Sequence, residues 1–264
     1  MNRLPFVILL VAYACIALAQ QQPDQLVSRS VFGIQDATMI DAFMPLMPGF
    51  GGSAREMLQQ QSVKPFLMPV RNAGTNGDET AYQITAALEY YINRDKNFKI
   101  NLSPDFISLQ LRKKGQYTIK DALSFLNANG TVSAAVVAYD ASEISEAAFY
   151  VPSFKIANYL HIFREISPPR YSIFEVKKAL LRGNPVIVEL AVSSGFRQSV
   201  GTRFIEPGPD QGTVTMMVIG FDETAGAFEL QACRGHEWGI NGYAWIKFDD
   251  FDKCARNGFV LVPQ

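Results

Sequence analysis

Helical periodicity fills the first half of this chain and β-rich runs fill the second, and that segregation restricts the fold more than any other feature. Sequences that alternate strand and helix build parallel sheets, whereas sequences that separate them build α+β domains. The spacing predicts a helix over 80–93, where Ala81, Ile84, Leu88 and Tyr91 fall on one face and Tyr82, Ala86 and Ala87 widen it. Asp78 supplies an N-cap and Glu79 a carboxylate in the first turn. Further helices are expected over 103–113, with Pro104 in the first turn, over 119–128, stopped by Asn129-Gly130, and over 173–181, stopped by Gly183. Strands are expected at 185–192, 214–221, 227–233, 243–248 and 259–262, punctuated by Gly and Asp turns. Residues 20–62 read as an arm, with Pro45, Pro48 and Gly49–Gly52 interrupting any long helix and a short helix over 53–61; 63–70 reads as extended. The expected fold is therefore α+β, a helical half followed by a β half.

The first residues have the pattern of a secretory signal. Arg3 precedes an apolar run from Leu4 to Ala14, and Ala17-Leu18-Ala19 forms a small-x-small cleavage site before Gln20–Gln22. The expected division is 1–19 signal peptide, 20–62 arm and 63–264 a single domain, in a secreted or periplasmic protein. Lipid attachment at Cys15 fits less well, because Ala12 and Tyr13 precede it. The run is too short for a membrane span, and no later segment offers roughly 18 uninterrupted apolar residues. With 24 Lys and Arg against 25 Asp and Glu, and no cationic run, nucleic acid is not an expected partner. Beyond residue 19 the cysteines are Cys233 and Cys254, too few for a disulfide framework; sequence leaves open whether they pair.

The run from Ala227 through Cys233, Arg234, Gly235, His236, Glu237, Trp238, Gly239, Ile240, Asn241, Gly242 to Tyr243 resembles the papain-like cysteine peptidases, whose strand ends in Asn-Ser-Trp-Gly and continues to Trp-Gly and Gly-Tyr. The continuation Ala244–Phe251 is most similar to the bacterial secreted branch. Asn72–Tyr82 resembles the segment that carries the family's Gln and Cys at the head of the central helix, Leu102–Pro104 with Asp121–Leu123 resembles its downstream helices, and Lys177–Val188 resembles the helix-turn-strand that opens its β half. The resemblance spans about residues 63–263 and implies a papain-like fold, with an antiparallel β half and a cleft between the two halves.

It also implies where the chemistry would sit. A papain-type site needs a thiolate, a His to pair with it, an Asn to orient the His, and a Gln for the oxyanion. The matching positions hold Glu79, Val214, Ala232 and Ala73, and the Trp that shields the His–Asn bond is Arg234. Glu79, Val214 and Ala232 keep roughly the 130–150-residue spacing of such enzymes. The expectation is a peptidase homologue with no catalytic residues, no cofactor and no metal, which binds an unidentified protein or peptide in a relict cleft near Asp78, Glu79, Gly115, Arg234 and His236. Two further readings stay open: an enzyme with altered chemistry built on Glu79, and a structural, envelope-associated protein. A carboxylate at a helix N-terminus is commonly structural, and the dipole is expected to lower the Glu79 pKa. Cys233 and His236 are two potential ligands, too few for a zinc site. Cys254 matches a family cysteine whose disulfide partner is missing, and His161 lies far in sequence from the expected His strand. Tyr90, Tyr91, Phe106 and Phe125 read as core aromatics.

Overall fold

The computed structural model describes residues 32–47, 53–74, 77–96 and 99–264. The proposed signal segment lies outside them. The elements are helices α1 (Ala37–Phe43) and α2 (Ala54–Gln59), strand β1 (Gln60–Ser62), helices α3 (Glu79–Lys96), α4 (Pro104–Arg112) and α5 (Ile119–Ala128), strand β2 (Ile156–Arg164), helix α6 (Tyr171–Leu181), strand β3 (Val186–Ala191), helix α7 (Ser194–Arg197), strands β4 (Thr213–Asp222), β5 (Ala227–Gln231) and β6 (Tyr243–Lys247), helix α8 (Phe248–Cys254) and strand β7 (Ala255–Pro263). Seven strands form one antiparallel sheet in the order β2-β7-β3-β4-β5-β6, with β1 pairing β4.

Local chemistry sets the helix boundaries. Ser53 caps α2 and Thr118 caps α5 with reciprocal capping boxes through Glu56 and Asp121. Ser103 caps α4 ahead of Pro104. α3 is buried on nearly every side: Ala81, Ile84, Leu88 and Tyr91 pack inward as their spacing predicts, and Gln83, Thr85 and Glu89 are buried as well. Several polar groups of the helix are hydrogen-bonded, although Thr85 Oγ1 and Glu89 Oε2 have no partner among the described residues. Gln83 donates to the Gln231 carbonyl at 3.0 Å. Glu89 accepts from Arg71 at 2.7 Å and from the Leu102 N–H at 2.5 Å. Tyr90 and Tyr91 donate to the Gly183 carbonyl and Asn184 Oδ1 at 2.6 and 3.0 Å. Such bonds fix the helix relative to the sheet, since a buried polar group without a partner costs about 1–3 kcal/mol.

One face of the sheet joins α6, α8 and the segment around Ile34, Ile40 and Met44 in the main apolar cluster, which includes Val188, Leu190, Val214, Met216, Phe228 and Phe251. The other face carries Ile187, Glu189, Thr215, Met217, Asn257 and Phe259. Both sheet edges are covered. Ile34 exchanges backbone bonds with β2 at 3.0 and 2.8 Å, and Arg203 and Ile205 exchange bonds with Trp245 of β6 at 2.7 and 2.9 Å. Covering an edge removes the unpaired ladder that would otherwise recruit another chain. The described part of the 20–62 arm, residues 33–47 and 53–62, is tied in by these contacts and by β1, and Gly33–Gln264 forms one compact unit.

Several elements depart from the sequence expectation, β1 and α7 among them. β2 was not foreseen, because Ile156–Phe163 is buried on both faces apart from half-exposed Ala157, and carries Asn158 and His161, which erases the apolar–polar alternation. α1 begins inside the arm, where its main cue is the cap on Asp36, whose Oδ1 accepts from the Met39 N–H at 3.0 Å. α8 grows out of the end of the 243–248 strand. Residues 63–70, expected to be extended, include a 3-10 turn at Lys64–Phe66 around Pro65.

Candidate functional site

The site forms where the head of α3 meets the chain leaving β5. Asp78 caps the helix, its Oδ1 accepting the Ala81 N–H at 3.0 Å. The preceding segment pairs with the β5 exit. The Ala73 N–H donates to the Cys233 carbonyl at 2.8 Å, and the Gly235 N–H donates to the Arg71 carbonyl at 3.1 Å. Gly77 turns tightly enough to donate to the Ala73 carbonyl at 2.8 Å, and any Cβ there would collide with that same oxygen. This double tether brings Ala73, Glu79, Cys233 and Arg234 into one place.

Within it, Arg234 Nη2 donates to Glu79 Oε1 in an ion pair. The two side chains keep 27% and 29% of their surface accessible, so the pair faces the cleft. Burial pushes the Glu79 carboxyl above its ordinary range, opposed by Arg234, Arg197 and the Thr215 N–H and reinforced by Asp78. The helix N-terminus was expected to lower this pKa; desolvation outweighs it. Thr80 and Thr215 hydroxyls lie 2.9 Å apart and hold β4 against the helix. The Cys233 thiol is buried, donates weakly to the Glu79 carbonyl at 3.9 Å, and is raised above its usual range by burial and by the Glu79 charge. A thiol in that condition is a poor nucleophile.

Val214 and Ala232 are buried at 2% and 3% exposure in the main apolar cluster, which also holds Trp238. The Trp238 indole N–H donates to the Phe196 carbonyl at 3.1 Å and so fixes α7 over this part of the site. From α7, Arg197 donates through Nη2 to the Thr213 carbonyl at 3.1 Å. The resulting cleft measures about 380 Å³, and its walls include Asn72, Glu79, Arg197, Val200, Arg234 and Trp238. Of the residues singled out in the sequence, Ala73, Glu79, Cys233 and Arg234 line it, and Asp78 bears on it electrostatically through Glu79. Gly115, in the turn after α4, and His236, exposed on the loop after Arg234, do not line it. Arg197 and Val200 were not anticipated. They lie in 193–212, a stretch without periodicity, and the charge of Arg197 was its sole signal.

His161 lies elsewhere, on β2. Its ring stacks on Phe259 with centroids 4.5 Å apart, and its Nε2 lies 2.8 Å from Asn257 Oδ1. Asn257 in turn donates to Glu189 Oε2 at 2.7 Å. Burial lowers the His161 pKa to about 4 against the opposing bond from Asn257, helped by the nearby Lys120 and Arg164 charges. Cys254 is a buried free thiol, raised to about 12 by burial, and it does not pair with Cys233.

No protein-family model and no curated protein sequence matches this chain. Solved structures do. Xylellain, a cysteine protease from Xylella fastidiosa, superposes with a TM-score of 0.64 at 18% identity, over 88% of this chain and 96% of that one. Digestive procathepsin L 3 of Tenebrio molitor matches with a TM-score of 0.63 at 13% identity, over 92% and 79%. The bromelain protease of Ananas comosus, solved with the E64 inhibitor, matches with a TM-score of 0.61 at 19% identity, over 78% and 99%. The chain has a papain-like fold, α+β, with a helical N-terminal part and an antiparallel sheet in the C-terminal part.

Proposed function

We propose that this papain-fold protein has no peptidase activity and acts by binding a protein or peptide segment in the cleft at the head of α3. The observation that carries the reading is the Arg234–Glu79 ion pair, which occupies the position where the sequence resemblance places the nucleophile and the shielding Trp. Three further facts support it. The positions aligned with the His and Asn are Val214 and Ala232, sealed in the apolar cluster, and Ala73 offers no side-chain donor for an oxyanion. Cys233 is buried with its pKa raised, where a nucleophilic thiol needs a lowered one. The two described histidines lie outside the cleft lining, so no imidazole there is available as a general base. The open volume of about 380 Å³ speaks against a purely structural role, for which the cleft would be filled. Secretion or a periplasmic location belongs to the same proposal and rests on the Leu4–Ala14 run and the site at Ala17–Ala19.

One observation favours a second reading. The upward shift of the Glu79 carboxyl is what an enzyme using it as an acid or base would require. A fluorogenic peptide panel tests both readings. The binding reading expects no turnover by the wild-type protein. Turnover that disappears in Glu79→Gln would replace it with an enzyme of altered chemistry.

A further inference from the structure

We propose that the cleft is a receptor for a carboxylate group, in which a ligand carboxylate takes the Arg234 and Arg197 guanidiniums over from Glu79. The inference rests on the binding reading above and names the chemistry of what is bound.

Two guanidiniums from different elements line the cleft that holds the Glu79 carboxylate. Arg234 follows β5 and bonds Glu79 directly; Arg197 ends α7 and acts on Glu79 through its charge. A guanidinium carries five N–H donors in a planar fork that suits a carboxylate edge. Arg197 spends one nitrogen on the Thr213 carbonyl, which sets its direction, and Arg234 uses Nη2 for Glu79. Both line the same cleft of about 380 Å³, beside the exposed side chain of Val200, which gives the rest of a ligand something to pack on. The ion pair is partly accessible, so it is open to approach by a second carboxylate.

Exchange has a consequence for Glu79. The groups that bear on it are Arg234 and Cys233 from the β5 exit, Arg197 from α7, the Thr215 N–H from β4 and Asp78 from its own turn, while Glu237 lies exposed on the rim. Once its cations serve the ligand, Glu79 faces a second carboxylate in a site whose burial already favours the neutral acid. It then takes up one proton, and the ligand carboxylate replaces the charge Glu79 has lost. Binding is coupled to that proton, so acid pH strengthens it.

The test is calorimetric titration of the purified protein with N-acetyl tripeptides carrying a free C-terminal carboxylate and with their C-terminal amides, at about pH 5 and about pH 7.5. The acids are expected to bind at least about tenfold more tightly than the amides, and more tightly at the lower pH. Glu79→Gln removes the competing charge at constant shape. It is expected to tighten acid binding near neutral pH by about tenfold and to flatten its pH dependence. Arg197→Gln is expected to weaken it. Equal affinity for acids and amides in both wild type and Glu79→Gln, or weaker acid binding by Glu79→Gln with an unchanged circular-dichroism spectrum, overturns the inference. Mass spectrometry of the recovered peptides reports hydrolysis separately. Cleaved peptides would sink the inactive reading alone, whereas intact peptides bound without preference for the acid would sink the carboxylate receptor alone.

Discussion

His161 should make the stability of this protein fall on mild acidification. The ring is 3% exposed, stacked on Phe259, and its Nδ1 has no partner among the described residues. Burial holds its pKa at about 4, against 6.5 for a free imidazole. The unfolded chain therefore takes up a proton as pH drops through 6.5, and the folded chain does so only near 4. The stability contributed by the neutral ring is fully present above pH 6.5 and is lost progressively between 6.5 and 4. At about 1.4 kcal/mol per pKa unit the loss amounts to about 3 kcal/mol. His161→Gln keeps a donor for Asn257 Oδ1 and cannot titrate. Urea unfolding of both proteins from pH 7.5 to pH 4 isolates the effect, because the other titrating groups are shared. The wild type is expected to lose about 3 kcal/mol relative to His161→Gln across that window. Parallel pH profiles, or an NMR titration of the ring with a midpoint near 6.5, would refute the reasoning.

Two further variants probe buried contacts of the fold. Arg71→Ala strips the cation from Glu89, whose side chain is fully buried, and is expected to cost about 3–5 kcal/mol in urea unfolding at neutral pH. Burial already raises the Glu89 pKa, so the unpaired acid is easily protonated and the loss should shrink near pH 5; an equal loss at both pH values would count against this account. Phe251→Ala removes a fully buried ring that meets Phe228 edge-on at 4.8 Å and Phe163 at 6.2 Å, and should cost about 3–5 kcal/mol, read as a lowered urea midpoint with unchanged slope.

Much of the fold was legible because its signals are local. α5 ends at Asn129-Gly130 and begins at a Thr118 capping box, and both bounds follow from residues adjacent in sequence. β3 and β4 announce themselves as runs of β-branched and apolar residues. β2 does not, because burial on both faces leaves no period of two and its polar members Asn158 and His161 find their partners far along the chain. The same distinction governs the site. The cap on Asp78 is local, but the Arg234–Glu79 pair joins residues 155 positions apart, and only the resemblance of two short motifs placed them together. Arg197 reaches the cleft because the Trp238 indole anchors α7, a contact no local pattern encodes. The pKa of Glu79 departs from the sequence expectation for a related reason: the helix dipole can be read from sequence, whereas the desolvation that overrides it depends on how tightly the β5 exit closes over the helix head.

The most direct test of the central claim, a papain-like fold without a working nucleophile, is intact-protein mass spectrometry after incubation with an epoxide active-site inhibitor of papain-type enzymes. The account predicts an unmodified mass, because both Cys233 and Cys254 are buried with raised pKa values. A stoichiometric adduct mapped to Cys233 would contradict it and would mean that the β5 exit opens to present a reactive thiolate in the cleft.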